Sequence, residues 1–318
     1  MAMELKTRKV VLVGTGFVGM SYAYAMLNQN VCDELVLIDI DRQRAQGEAM
    51  DLNHGLPFSG SHMKIYAGDY QDCADADLVA ICAGAAQKPG EERTALLHRN
   101  AEVFRAIISP IVSSGFGGIL LIATNPVDIM AHVAQTLSGF DSRRVIGTGT
   151  ILDTARLRYQ IGHFFRIDPR NVHAYVMGEH GESEFVPWSQ AMVATKPVGL
   201  FRGENGSLNL GQMLQIETEV RDAAQKIILA KKATYYGIGM AMVRITRAIL
   251  GDEQSVLTVS TMMRGDYRLN QVYLGTPCIV GRRGVAGVVG LPLEHSEQEK
   301  LEHSAQILSE LYHGLRLS

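Results

Sequence analysis

From Lys9 to Gly147, apolar runs of strand length alternate with segments of helical period. That alternation leaves little room for anything but βαβ units around a parallel sheet. The expected strands are Lys9–Val13, Leu35–Asp39, Met63–Ala67, Asp77–Ala83, Gly118–Ala123 and Arg144–Ile146. Their near-continuous apolar character suits strands covered on both faces by helices such as Val18–Gln29 and Asp41–Leu52. After Gly149 the texture changes. A helix is expected at Ile151–Phe164, short strands at Val172–Met177 and Val256–Met263, and a long helix over Gly211–Lys232. In the long helix Met213, Ile216, Val220, Ala223 and Ile227 form one apolar face, while Glu217–Arg221 and Asp222–Lys226 pair at i,i+4. Tyr273–Val280 and Val285–Val289 read as a hairpin, and Ser296-Glu297-Gln298-Glu299 as a capping box opening a last helix. The expected class is α/β: a doubly wound parallel sheet of the Rossmann kind over residues 1–147, then an α+β domain over 148–318. No repeat or Pro-rich linker separates the halves, so they are expected to pack together rather than hang on a tether.

Composition removes several function classes. With 318 residues and 47% hydrophobic content the chain can bury a large core, and a net charge of −3 offers no basic stripe for nucleic acid. No uninterrupted apolar stretch approaches the roughly 20 residues that span a bilayer. Lys6, Arg8 and Lys9 precede an apolar run as in a secretory signal, but Gly14, Gly16 and Gly19 break it at once. Cys32, Cys73, Cys82 and Cys278 show neither CxxC spacing nor disulfide density, so a reducing cytoplasm is the expected home and no metal is expected.

Gly14-Thr15-Gly16-Phe17-Val18-Gly19 sits between an expected strand and an expected helix, the context that lifts a GxGxxG above an ordinary glycine turn. Gly14 permits the tight turn, Gly16 lets backbone approach a pyrophosphate, and Gly19 lets the helix pack close to the strand. Asp39 lies 20 residues beyond Gly19 at a strand end. Its carboxylate suits ribose hydroxyls and repels a 2′-phosphate, which favours NAD over NADP; Arg42 is near enough to meet such a phosphate, and equally suits a solvated helix start. Ala83-Gly84-Ala85 and Thr124-Asn125-Pro126 end two further strands, at the sheet edge where ligands bind in such folds. Asn125 suits the nicotinamide end of the cofactor, though Asn before Pro is also a common turn.

Hydride transfer to a ketone leaves negative charge on oxygen, so a site for it needs a proton donor and a cation. His180, between Gly178 and Gly181, is the expected donor, the glycines letting backbone crowd a ligand. Asp153 would accept from its other ring nitrogen and favour the imidazolium, and it also suits a helix N-terminus. Arg156, three residues on and on the same helix face, can grip a carboxylate with two parallel hydrogen bonds. Arg93 falls in the loop Gly84–Thr94, where it would polarise the carbonyl as the loop closes, or simply pair with Glu91 or Glu92 in solvent.

At this point the chain resembles the lactate/malate dehydrogenase family, and within it the bacterial L-lactate dehydrogenases. The matching stretches are Val13–Gly19, Asp51–Gly55, Ala83–Arg93, Ala123–Asp128, Gly147–Arg158, Val172–Glu184, Ala233–Gly239 and Ile245–Leu250, in order from about Lys9 to the final helix. The resemblance implies His180 as acid/base, Asp153 as its partner, Arg156 as carboxylate clamp and Arg93 on a mobile loop. It further implies that Asn125 contacts the substrate oxygen and that Thr234 lines the side-chain pocket of the second, substrate-binding domain. Malate dehydrogenases carry arginine where this chain has Gln87, and a neutral amide cannot neutralise a second carboxylate, so pyruvate and L-lactate are the expected substrates. Glu182 stands where members commonly have aspartate. Arg158 and His173 match positions that bind fructose 1,6-bisphosphate across a subunit interface in bacterial members, which implies an activated homotetramer at the fermentative end of glycolysis. The short segment before the first strand also reads as bacterial rather than animal. Two rivals stand beside this reading: a dehydrogenase for malate or longer 2-oxo acids, and a nucleotide-binding protein without turnover, which would require a missing catalytic group.

Overall fold

The structure, a computed structural model, describes residues 7–85 and 93–315, without the side chains of Arg93 and Thr94. The first half runs β1 (Lys9–Val13), α1 (Phe17–Gln29), β2 (Glu34–Ile38), α2 (Arg42–Gly55), β3 (Lys64–Ala67), β4 (Leu78–Ile81), α3 (Arg93–Ser113), β5 (Ile119–Ile122), α4 (Val127–Ser138) and β6 (Val145–Gly147). The second runs α5 (Ile151–Phe165), β7 (Val172–His173), β8 (Met192–Val193), β9 (Lys196–Pro197), α6 (Leu210–Lys231), α7 (Tyr236–Leu250), β10 (Ser255–Arg264), β11 (Asn270–Gly281), β12 (Gly284–Val288) and α8 (His295–Gly314).

Strands β1 to β6 pair in parallel in the order β3-β2-β1-β4-β5-β6. Alternate residues serve opposite faces: Val11 and Val13 join one core with Phe104 and Ile108 of α3, and Val10 and Leu12 join another with Tyr22 and Met26 of α1. Chain order reverses at β1, which has β2 on one side and β4 on the other. The loops leaving β1 and β4 lead to helices on opposite faces of the sheet, α1 in one core and α3 in the other, and such a reversal is where folds of this kind set their ligand crevice, at the carboxyl edge.

The sheet does not stop at Gly147. Ser260 of β10 pairs antiparallel with Gly147, and β10-β11-β12 extend the sheet to nine strands. Across the other face α7 lies against α1, where a β-carbon on Gly239 would meet the Ser21 carbonyl carbon at 2.9 Å, and the buried Tyr22 hydroxyl bonds Thr246 at 2.8 Å. A third, smaller core, with Leu157, Phe165, Val176 and Val220, belongs to the second half alone.

Three sequence expectations shift. The strand expected at Val172–Met177 shortens to β7, with Met177 making a separate bridge to Phe185. The last capping box is built by Glu294 and Glu297 rather than from Ser296, because the helix already begins at His295; Glu297 also accepts from the Ser189 backbone N–H (3.0 Å) and hydroxyl (2.6 Å). The apolar face of α6 is buried at Ile216 and Val220, but Ile227 is 36% exposed because the helix runs on past the third core. Both expected i,i+4 pairs on α6 form, at 3.6 Å for Arg221–Glu217 and 4.0 Å for Lys226–Asp222.

Candidate active site

The glycine turn is built by close approach. Gly14 has φ +100°, and a β-carbon on it would lie 2.5 Å from the Ala83 nitrogen; one on Gly19 would lie 2.0 Å from the Gly14 carbonyl oxygen. Over Gly16, which precedes α1 without a side-chain cap, there is open space. An uncapped helix N-terminus under an open glycine is what a pyrophosphate requires. Asp39 ties this turn to β2: its Oδ2 accepts from the Thr15 N–H (2.7 Å) and hydroxyl (2.8 Å), and its Oδ1 from the Asp41 N–H (3.0 Å). Partial burial alone would raise the Asp39 carboxyl, but these donors outweigh it and hold it below its usual range. It stays charged, with lone pairs left for a ribose. Arg42 opens α2 as an exposed residue. Phe17 is 68% exposed and stacks on Tyr235 at 5.3 Å, beside half-buried Thr234 at the α6–α7 junction, while Val18 is partly buried.

The loops after β4 and β5 meet through a residue that sequence reasoning missed. Asn100 of α3, 1% exposed, accepts from the Ala85 N–H (2.7 Å) and donates to the Asn125 carbonyl (3.1 Å). The Thr124 hydroxyl donates to the Ala83 carbonyl (2.7 Å), and Gly84 is needed because a β-carbon there would meet the Thr124 methyl at 2.5 Å. Asn125 itself is exposed at the crevice edge. Gln87 lies outside the described residues. Arg93 begins α3 rather than lying within the loop, and its side chain is outside the description.

The cluster around Asp153 is built by charge. Asp153, 2% exposed in the first turn of α5, takes His180 Nδ1 on Oδ2 at 2.6 Å and Arg156 Nη1 on Oδ1 at 2.8 Å. Burial would raise this carboxyl, yet the two cations hold it below its ordinary value. Burial would lower His180, but Asp153's charge and hydrogen bond raise it to about 9. The imidazolium is therefore the resting form at neutral pH, with Nδ1 committed and the ring a quarter exposed. Arg156 joins the cluster with one nitrogen engaged, and the guanidinium keeps further N–H donors.

Four elements hold the His180 backbone. Thr150, which precedes α5, and Thr154 within it bond the Val176 carbonyl (2.6 Å) and N–H (2.9 Å), and Gly178 exchanges two hydrogen bonds with Gly275 of β11. Ser304 of α8 accepts from the Glu179 N–H at 2.6 Å, and Asp128 of α4 accepts from the His180 N–H at 2.8 Å. Gly178 and Gly181, expected to make room for a ligand, admit other parts of the protein instead. At φ +97°, a β-carbon on Gly178 would meet the Ser304 hydroxyl at 2.8 Å, and one on Gly181 the Glu179 carboxylate at 2.9 Å, so both make room for protein. Asp128 was also missed; burial pushes its carboxyl up to about 6, and its place one turn past Asn125-Pro126 was the available signal.

Arg158 is largely turned inward, its Nε donating to the Ala174 carbonyl at 3.1 Å and its guanidinium over the Tyr175 ring at 5.2 Å, while His173 is exposed on β7.

Residues 8–147 match the model of the lactate/malate dehydrogenase NAD-binding domain, and residues 150–313 that of the lactate/malate dehydrogenase α/β C-terminal domain. The chain belongs to the lactate/malate dehydrogenase family. Its N-terminal half is the family's NAD-binding domain. An L-lactate dehydrogenase of Priestia megaterium is 53% identical over 305 residues, 96% of each chain, and one of a Geobacillus strain 49% identical over 303 residues, 95% of each. Among solved structures, the ligand-bound minor L-lactate dehydrogenase of Enterococcus mundtii superposes with a TM-score of 0.96 at 43% identity, covering 99% of this chain and all of that one. A lactate dehydrogenase from a Medee basin deep-sea metagenome superposes at 0.94 with 52% identity, covering 98% and 99%. Among the described residues no helix is long and apolar enough to cross a membrane.

Proposed function

We propose that the protein is an NAD-dependent L-lactate dehydrogenase, which reduces pyruvate to L-lactate with NADH and runs the reverse reaction. The observation that carries this reading is the Asp153 carboxylate, buried and shared between His180 and Arg156 at 2.6 and 2.8 Å. Bound NADH supplies the hydride. His180, charged at rest, gives its Nε2 proton to the oxygen as negative charge builds there, and in lactate oxidation neutral His180 takes that proton back. Asp153 fixes the ring so that Nε2 faces the reacting oxygen. Arg156 holds the substrate carboxylate in a fork, Asn125 and Arg93 bind the oxygen that carries the developing charge, and Thr234 borders the methyl group. Gly14, Gly16, Phe17, Val18, Gly19 and Asp39 would hold the cofactor, with Ala83, Gly84, Ala85, Thr124 and Asn125 at its nicotinamide end. The working division is residues 1–147 for cofactor and 148–318 for substrate.

The same reading makes the protein a cytoplasmic homotetramer serving the fermentative end of glycolysis, activated by fructose 1,6-bisphosphate at Arg158 and His173. Guanidinium plus imidazole suits a phosphate, and binding would draw Arg158 away from the Ala174 carbonyl. The test is NADH oxidation with pyruvate, oxaloacetate and 2-oxoisocaproate, with and without the sugar bisphosphate, alongside light scattering. Pyruvate should give the highest kcat/KM, NADPH should substitute poorly, Gln87→Arg should move preference toward oxaloacetate, and the effector should lower the pyruvate concentration at half-saturation. Faster turnover of oxaloacetate by the unmodified protein would overturn the substrate assignment, and an unchanged saturation curve and oligomer population would remove the effector.

A further inference from the structure

Beside the acid/base pair lies a third ionisable group that the proposed reaction does not use. Glu184 is 5% exposed, and one oxygen or nitrogen from each of Asp153, His180 and Glu184 lies within 4.8 Å of the other two. Its position is fixed: the Glu184 N–H donates to the Gly181 carbonyl, and the next residue, Phe185, exchanges two backbone hydrogen bonds with Met177. His180 and Glu184 thus sit in one short loop closed by that bridge. The charged groups facing Glu184 are Asp153 and Arg156 on α5, His180 in its own loop, and Arg221 on α6, which donates to the Glu184 carbonyl at 3.3 Å and pairs with Glu217; Asp128 also faces His180, and Glu179 faces Asp128.

Asp153 is already satisfied by two cations, so a second carboxylate this close repels it and has a choice of charge state. We propose that Glu184 is a second proton-holding residue of this cluster, whose ionisation is linked to that of His180 and keeps the proton on the imidazole as the solution becomes more alkaline. Burial first, and then Asp153, push the Glu184 carboxyl up to about 8, while Asp153 raises His180 to about 9, so the two groups ionise over one range of pH. The charge that Glu184 gains as it ionises holds His180 protonated for longer. The cluster then releases two linked protons rather than one. Glu184 acts through His180 and touches no substrate in this account, so it is a positioning residue.

The kinetic side of the test rests on the lactate dehydrogenase reading, and the titration does not. In the NADH complex, the His180 ring carbon signal followed by NMR should titrate in two linked steps. In Glu184→Gln it should titrate in one step, displaced downward by about one pH unit, and Glu184→Asp should restore most of the original curve. The alkaline limb of pyruvate reduction should move down by the same amount in Glu184→Gln. A His180 titration identical in both proteins, or a Glu184→Gln enzyme that slows without any movement of its pH limb, would overturn the proposal. Failure of the unmodified protein to turn over pyruvate, with the two-step titration intact, would overturn the substrate reading alone.

Discussion

Around the glycine turn, backbone meets backbone: a single methyl group on Gly19 would sit 2.0 Å from the Gly14 carbonyl oxygen. Around His180, a carboxylate only 2% exposed is balanced by an imidazolium and a guanidinium, with a second buried carboxylate close by. The first region is held by shape and the second by charge balance. Added volume should therefore damage the first and leave pH behaviour alone, whereas an isosteric change of charge should leave the fold alone and damage chemistry.

The largest effect should follow Asp153→Asn, which keeps the volume and removes the charge that both His180 and Arg156 face. Single-turnover pyruvate reduction should fall by about 10³ to 10⁴-fold, with circular dichroism unchanged; a loss below tenfold would mean that His180 does not depend on Asp153. Next, Gly19→Ala should destabilise the protein by about 3 kcal/mol, seen as a lower Tm, while the pH limb of the surviving enzyme stays put. An unaltered Tm would show that the crevice is not held by close packing. Arg156→Lys should lower kcat/KM for pyruvate by roughly 10 to 100-fold, the worth of a charged hydrogen bond lost when a fork becomes a point charge. A full rate in that variant would remove Arg156 as the clamp. The smallest effect should come from Asp39→Asn, which relaxes the preference for NADH over NADPH by about tenfold, the effect of about 1.4 kcal/mol. An unchanged cofactor ratio would place discrimination elsewhere.

The same contrast explains what could be read in advance. Strands β1 to β6, Gly14–Gly19 and the shared helix face of Asp153 and Arg156 are legible because local order decides them: near-continuous apolar runs of strand length, glycines at fixed offsets, and one helical turn between acid and base. Contacts that join distant parts of the chain were not. Nothing near Asn100 announces that its amide will bridge the loops after β4 and β5, and nothing near Ser260 announces that β10 will carry the sheet past Gly147. Gly178 and Gly181 drew attention for the right loop but the wrong reason, since the atoms they admit come from Ser304 and Glu179, one of them 126 residues from its glycine along the chain.

In the proposed reaction one proton on His180, stabilised by Asp153, separates the two directions. The measurement closest to it is the pH dependence of single-turnover hydride transfer, with pyruvate in the NADH complex and with L-lactate in the NAD⁺ complex. His180 must be charged to reduce pyruvate and neutral to oxidise lactate. Reduction should therefore fade, and oxidation should grow, as pH rises through the ionisation that lies at about 9 in the free protein. Two limbs that run in the same direction, or rates flat from about pH 6 to pH 10, would contradict the account.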